Sequence, residues 1–384
     1  MRVGLNALFL ARPLTGSGRY VRHLVEELAR LGRGHEYLLF GPAGAQPAEL
    51  AWRSVRTPFD SWSEILAKVW FEQVGFPRAC RRAGVDVAHY PYFAAPLAGL
   101  RPVIVTAHDL IPMLFPQYRG SARVRLYTAL VAASARRASL VITDSAASRD
   151  DVVRRLGVPE ERVRVIYLAA DERFRPAADP AAVDAARRRY GLPDEYLLYL
   201  GGLDYRKNVP RLLQAYALAH REGLALPLVV AGSLPRPSAL FPDLRGEVER
   251  LGLSNSVVFC GPGADEDTPL LFQAATAFVY PSLYEGFGLP PLEAMACGTP
   301  VVCANSSSLP EVVGDAALTV DPTDVTGLAA ALRTIARDAG LREDLRGRGL
   351  ARAAQFSWRR TAEETLAAYE EASQRFARSP ITSN

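Results

Sequence analysis

From the first residue to near the last, short apolar runs alternate with stretches whose apolar residues recur at helical spacing, and nothing else in this chain limits its fold as much. Strands covered on both faces by crossover helices read as continuous apolar runs. Six such runs occupy the first half: Arg2 to Leu8, Glu36 to Phe40, Val85 to His89, Val103 to Ala107, Leu140 to Thr143 and Val163 to Ile166. Six more follow: Tyr196 to Leu200, Leu228 to Ala231, Val257 to Cys260, Ala277 to Tyr280, Val301 to Ala304 and Leu318 to Val320. The pattern predicts an α/β chain with two doubly wound parallel sheets. Asp171 to Pro180 is polar and carries Pro176 and Pro180, so it reads as the linker between domains over residues 1–175 and 181–355. Beyond Leu328 only helices are expected, ending in a polar, frayed Ser379 to Asn384 tail.

The 384 residues are 49% apolar and 22% charged, enough for each half to bury its own core. No stretch reaches the roughly 18 to 20 uncharged apolar residues of a membrane-spanning helix, and Met1-Arg2-Val3 leads directly into a strand-like run. A cytoplasmic protein is expected. Cys80, Cys260, Cys297 and Cys303 form no C-x-x-C pair and read as buried free thiols rather than zinc ligands or disulfides. Residues 1–175 hold 25 basic against 16 acidic side chains and the remainder 20 against 25, so the halves carry +9 and −5. Two readings of the basic half stay open: a solvated Arg-rich surface, or a face for a polyanion, a phosphorylated acceptor or an anionic membrane at the inner leaflet. Of the 45 basic residues only Lys68 and Lys207 are lysines.

Ligands of doubly wound sheets bind beyond the carboxyl ends of the strands, so chemistry is sought in those loops. After the run ending at Tyr280 comes Glu285-Gly286-Phe287-Gly288-Leu289-Pro290-Pro291-Leu292-Glu293. Gly286 and Gly288 let the backbone turn sharply and bring amide N–H groups close to a ligand. Pro291 is expected at the first helical position and Gly298 just past the last, giving a helix of about two turns whose N-terminus favours a phosphate. Glu285 precedes that helix and Glu293 falls in its first turn, so two carboxylates would flank one anion-sized pocket, one suited to sugar hydroxyls and the other to a ribose. The plainer reading is a loop glycine pair with Glu293 as a favourable first-turn charge.

A second strand end reads Gly201-Gly202-Leu203-Asp204-Tyr205-Arg206-Lys207-Asn208, where adjacent cations beside glycines suit a diphosphate clamp. A lysine kept among 43 arginines suggests a site that wants a compact ammonium rather than a planar fork; chance retention on a solvated helix is the alternative. Thr15-Gly16-Ser17-Gly18-Arg19-Tyr20 opens an amphipathic helix but is neither a dinucleotide fingerprint nor a P-loop. His108-Asp109 lies at a strand's carboxyl edge, as a functional pair or as a histidine satisfied in a loop. Asp265-Glu266-Asp267 is expected to be an exposed helix-start charge run rather than a metal site. Trp62, Ile65, Leu66, Val69 and Trp70 share one helix face, followed by Arg78, Arg81 and Arg82. Buried core is the default reading of that face, with a membrane-touching helix as the alternative.

Taken together, the Glu285 to Glu293 stretch, Thr15 to Tyr20, His108-Asp109-Leu110, Thr143-Asp144-Ser145, Arg206-Lys207-Asn208 and Phe356-Ser357-Trp358 resemble the family 4 retaining glycosyltransferases of GT-B architecture, over nearly the whole chain. The resemblance implies two Rossmann-like domains facing across a cleft, with a C-terminal helix, 359–378, completing the N-terminal one. It implies that Glu293 holds the ribose, and that Glu285 with the amides of Gly286, Phe287, Gly288 and Leu289 holds the donor sugar and distal phosphate. Lys207 and Arg206 would neutralise the diphosphate, Gly16 and Gly18 would close over it, His108 would face the donor sugar, and residues near Gly261 would frame the base. Many relatives carry an Arg where this chain has Gly202, so Arg206 has to substitute.

The expected reaction is transfer of a hexose, with retention, from a nucleoside diphosphate sugar to a saccharide or lipid-linked saccharide, needing no metal and no further cofactor. Likeness to bacterial polysaccharide mannosyltransferases favours GDP-mannose. The alternatives are another donor such as UDP-glucose, UDP-GlcNAc or dTDP-rhamnose, a relative that transfers to phosphate or epimerises a UDP-sugar, and a non-catalytic nucleotide-sugar-binding regulator. No nucleic-acid recognition module is present in the sequence.

Overall fold

The structure, a computed structural model, describes residues 1–12, 15–32, 34–42, 50–100, 102–177 and 179–378. The tail Ser379 to Asn384 lies outside the described residues. The chain divides into two compact units, one formed by Met1–Leu168 together with the chain from Trp358 onward, the other by Ala169–Ser357.

The first unit contains β1 (Arg2–Asn6), β2 (Glu36–Gly41), β3 (Ala51–Ser54), β4 (Val87–Tyr90), β5 (Val103–Thr106), β6 (Leu140–Thr143) and β7 (Val163–Val165) in one parallel sheet of order β3-β2-β1-β4-β5-β6-β7. The second contains β8 (Leu197–Leu200), β9 (Leu228–Ala231), β10 (Val257–Gly261), β11 (Ala277–Tyr280), β12 (Val301–Ala304) and β13 (Ala317–Val320), parallel in the order β10-β9-β8-β11-β12-β13. Both are doubly wound: the order runs outward on one side, returns to the middle and runs outward on the other. The reversal falls between β1 and β4 in the first sheet and between β8 and β11 in the second.

Every apolar run singled out in the sequence is a strand. The strand that was not, β3, is a short edge strand with one large apolar residue and a largely exposed face, the kind of strand periodicity does not find. Its Trp52 packs on Gly41 so closely that a Cβ there would lie 2.4 Å from the indole.

In the first unit the helix Gly16–Leu31 buries Tyr20, Val21, Leu24, Val25 and Leu28, and it packs beside the final helix Trp358–Arg378. That helix turns Trp358, Thr361, Ala362, Thr365, Leu366, Tyr369 and Ala372 inward at helical spacing. Between sheet and helix, buried His89 bonds Tyr369 through Nδ1 (2.7 Å) and Thr106 through Nε2 (2.8 Å), and burial pushes its pKa down to about 3, so it stays neutral in the core.

The apolar face beginning at Trp62 departs from the buried-core expectation. The helix Glu64–Trp70 leaves Trp62 76%, Ile65 65% and Leu66 43% exposed, while Phe71, Phe76 and Cys80 turn inward. A wider π turn, Phe71–Gly75, separates Glu64–Trp70 from the helix Phe76–Arg82 and shifts the phase of the apolar stripe between them. The four cysteines are free, with Cys80, Cys297 and Cys303 buried and Cys260 partly so. Among the described residues no helix is long and apolar enough to cross a membrane.

Candidate donor site

The loops after β8 and β11 leave the sheet side by side at its reversal point, where a doubly wound sheet presents its ligand crevice. Lys207 is buried in the β8 loop, and its Nζ donates to Glu285 Oε1 (2.7 Å) and to the Tyr280 hydroxyl (2.5 Å). The same carboxylate oxygen accepts from the Tyr280 hydroxyl (2.9 Å) and from Ser282 Oγ (2.6 Å). Arg206 donates to Glu285 Oε2 (2.7 Å) and to the Tyr284 carbonyl (3.2 Å), and its Nε lies 3.4 Å from Asp204.

Burial alone would push the Glu285 carboxyl up, but the Lys207 ammonium and Arg206 guanidinium hold it at about 2. Burial and the adjacent guanidinium push the Lys207 pKa down against the pull of Glu285. The cluster braces the Lys207 Nζ and the Arg206 guanidinium on one ionised carboxylate, and both are aimed before any ligand arrives.

The β11 loop is held by a serine run that the sequence reading did not single out. Ser307 Oγ accepts from the Glu285 N–H (2.8 Å), Ser308 Oγ donates to the carbonyls of Glu285 (2.9 Å) and Phe287 (2.5 Å), and Ser306 Oγ donates to the Ser282 carbonyl (2.8 Å). Ser307 takes a left-handed backbone (φ 48°), rare outside glycine and typical of strained functional loops. The available signal was position alone: a polar run directly after β12 at the carboxyl edge. Asn208, also left-handed (φ 60°), ties the β8 loop to the carbonyls of Pro281 (3.0 Å) and Pro322 (2.8 Å).

Gly286 and Phe287 continue from Glu285 into Gly288, whose φ of 120° suits glycine and where a Cβ would lie 2.8 Å from Leu309. The helix Leu289–Ala296 starts two residues earlier than expected, so Pro290 and Pro291 both sit in its first turn and Gly298 follows its end. Two prolines remove two of the first turn's amide donors, leaving the Leu289 N–H at the helix start. Glu293 is consequently in the second turn rather than the first; it is buried, and its charge acts on Arg173 and on the Cys297 thiol. Gly261 ends β10, two strands from β8, with a left-handed φ of 73°.

Gly16, Gly18 and His108 belong to the first unit. Thr15 caps the helix Gly16–Leu31 by accepting from the Gly18 N–H (3.1 Å). A Cβ at Gly18 would lie 2.0 Å from the Arg12 carbonyl oxygen, whereas Gly16 faces open space. His108 follows β5; its Nδ1 lies 2.7 Å from Asp144 and its Nε2 3.3 Å from the Pro91 carbonyl. Both partners are acceptors and favour the protonated ring. Burial opposes that charge, but Asp144, with Asp109 behind it, outweighs burial and raises the pKa. The acidic run is not simply exposed: Asp267 is buried and accepts from Arg189 (2.6 Å) and Tyr190 (2.8 Å), and Asp265 pairs with Arg173 (2.6 Å).

Residues 14–174 match the family model "Glycosyltransferase Family 4" and residues 183–352 match "Glycosyl transferases group 1". The chain is 36% identical to O-antigen chain mannosyltransferase B of Escherichia coli, across 93% of this chain and 96% of that protein. Among solved structures it is similar in fold to sucrose-phosphate synthase of Thermosynechococcus elongatus (TM-score 0.75, 24% identity, 99% of this chain and 100% of that one). It is also similar to the lipopolysaccharide glycosyltransferase WaaG (TM-score 0.72, 18% identity, 96% and 99%). With this agreement over both units, the chain belongs to the family 4 glycosyltransferases of GT-B fold.

Proposed function

We propose that this protein is a retaining hexosyltransferase that takes mannose from GDP-mannose and passes it to a saccharide or lipid-linked saccharide in polysaccharide biosynthesis. The observation that carries this reading is the Arg206–Lys207–Glu285 cluster at the reversal point of the second sheet, a pre-aimed pair of cations suited to a diphosphate leaving group. The sugar and pathway rest on likeness to the O-antigen chain mannosyltransferase.

Lys207 and Arg206 neutralise the diphosphate, while Glu285 and the backbone from Gly286 to Leu289 hold the donor sugar and distal phosphate. Glu293 holds the ribose, and the Gly261 loop frames the base. In the transfer step the bond from the anomeric carbon to the phosphate oxygen breaks, and the acceptor oxygen bonds that carbon from the same face. The departing phosphate oxygen takes the acceptor's proton, and the two cations stabilise the charge it gathers.

Calorimetric titration with GDP-mannose, UDP-glucose, UDP-GlcNAc and dTDP-rhamnose, with Glu293→Ala as control, tests the donor. Saturable binding of GDP-mannose that the variant loses supports the reading. Preference for another donor overturns the mannose assignment, and binding of a donor with no transfer to any saccharide recasts the protein as a regulator.

The same reading places the first unit at an anionic membrane face. Trp62, Ile65 and Leu66 are exposed, as are Arg78, Arg81 and Arg82 of the helix after the π turn, and exposed aromatic and cationic groups suit a lipid interface.

A further inference from the structure

A pocket of about 330 Å³ opens at the reversal point of the first sheet, lined by Phe9 after β1, Tyr92 and Phe93 after β4, and His108 and Asp109 after β5. The helices Glu64–Trp70 and Ala122–Ala135 contribute Lys68 and Tyr127. Lys68 is the only lysine besides Lys207, and it is not a solvated surface residue. Its ammonium stands over three ring faces, Tyr127 at 5.0 Å, Phe9 at 5.5 Å and Tyr92 at 5.7 Å from the centroids. One turn further along the chain the carboxylate of Glu72, with no exposed side-chain surface, lies 3.9 Å from it. The Tyr127 hydroxyl fixes that carboxylate with contacts of 2.9 and 3.1 Å. A third of the Lys68 side chain remains exposed, on the pocket side of this cage.

We infer that this pocket holds the terminal sugar of the acceptor, that the sugar is neutral, and that Lys68 is the residue that selects it by donating to a ring hydroxyl while the aromatic walls cover the sugar's apolar face. This inference rests on the glycosyltransferase reading above and names the acceptor class within it. The charge balance carries the choice of a neutral ligand. Lys68 faces the Glu72 carboxyl at 3.9 Å, whose pKa burial pushes up against the pull of Lys68 and Tyr127, and His108 faces Asp144 at 2.7 Å, with Asp109 also on the pocket wall. Among the described residues Lys68 and His108 are the basic side chains of the pocket wall, each already facing a carboxyl group, whereas a site for a phosphate or uronate would need a cation without one. Four aromatic rings and fixed polar groups in one concave site are instead the make-up of a pocket for an uncharged, hydroxyl-rich ring.

The test uses the full chain, with α-linked mannotriose as the neutral probe and mannose 6-phosphate as the anionic one. Binding is read by saturation-transfer NMR without donor, and transfer is read separately with GDP-mannose. The unaltered protein should bind mannotriose and not mannose 6-phosphate. Lys68→Gln should weaken mannotriose binding and raise its KM about tenfold, the worth of one hydrogen bond from a charged donor, while the affinity for GDP stays within about twofold.

Lys68→Gln also leaves Glu72 buried beside no cation, so the double variant Lys68→Met/Glu72→Gln, which removes both charges, guards against a folding defect. It should melt like the unaltered protein and still lose the mannotriose. Unchanged mannotriose binding in both variants, no mannotriose binding by the unaltered protein, or tighter binding of mannose 6-phosphate would each overturn the inference. Mannotriose binding that depends on Lys68 without transfer from any donor would leave the pocket standing and sink the enzymatic reading.

Discussion

The chain's two lysines occupy opposite kinds of setting. Lys207 is almost wholly buried and locked by hydrogen bonds at 2.5 and 2.7 Å to groups on the β11 side of its sheet. Lys68 is a third exposed, sits 3.9 Å from its carboxylate and is otherwise held by ring faces at 5.0 to 5.7 Å. Directional bonds hold a charge at one point, which is what stabilising a leaving group requires, since a preorganised donor needs no reorientation as charge develops. Ring faces attract an ammonium without fixing its direction, so it can tip toward whichever hydroxyl a sugar presents. In a chain that otherwise uses arginine, one ammonium group stands against a strand end and the other inside an aromatic cage, settings in which a compact amine and a planar fork are not interchangeable.

The contrast predicts its largest effect at Glu285. Glu285→Ala leaves Lys207 and Arg206 buried side by side without their shared counter-charge, and should cost about 3 to 5 kcal/mol of stability along with essentially all transfer. Urea unfolding followed by fluorescence checks it, and a loss below about 1 kcal/mol would mean that the cluster is more hydrated than its geometry implies. Next comes Lys207→Ala, which should lower kcat by about 100- to 1000-fold. The protein should still fold, because Arg206, Ser282 and Tyr280 continue to bond Glu285. Lys207→Arg should restore little, since the fork has to fit between the Tyr280 ring and the carboxylate. Full activity in the arginine variant would erase the distinction between the two lysines.

The sequence made the sheets legible because strands buried on both faces leave continuous apolar runs, and it made Glu285, Lys207 and Arg206 legible because each follows such a run. Several features escaped it. The edge strand β3 has too little buried surface to mark itself. The fate of Trp62, Ile65 and Leu66 turned on the π turn at Phe71–Gly75, a phase shift that apolar spacing does not announce. The Ser306–Ser308 brace and the Lys68 cage depend on which loops the fold brings together: Lys68 and Phe9 are far apart in the chain, and neither is informative alone. The helix after Gly288 starts two residues before Pro291, the first helical position expected from the sequence, because its first turn accommodates Pro290 as well.

The two units should also fail at opposite ends of the pH scale. Glu285, with a folded pKa of about 2 against an ordinary 4.5, contributes stability above pH 4.5 that is lost as pH falls toward 2. His108 is raised above its ordinary 6.5 by Asp144, so its contribution is complete below pH 6.5 and is lost as pH rises through the folded value. Unfolding free energies measured across pH for the unaltered protein, Glu285→Gln and His108→Gln should therefore show the first gap closing in acid and the second closing in base. A His108 gap that stays constant from pH 6 to 9 would show that the imidazolium is not the folded form.

The smallest effect on stability is expected where the fold exposes what the sequence would bury. Trp62 stacks on Phe59 at 6.1 Å and otherwise stands in solvent, so Trp62→Ser should change the unfolding free energy by no more than about 0.5 kcal/mol. Its effect should appear instead in sedimentation with phosphatidylglycerol vesicles. Withdrawing one large aromatic from a lipid interface should weaken binding about tenfold, while vesicles of phosphatidylcholine, which offer nothing to Arg78, Arg81 and Arg82, should bind both forms poorly. Unchanged vesicle binding would return the Arg-rich face to an ordinary solvated surface. A melting temperature lowered by several degrees would instead show that Trp62 packs into the first unit after all, and the apolar stripe would belong with Phe71 and Phe76 rather than apart from them.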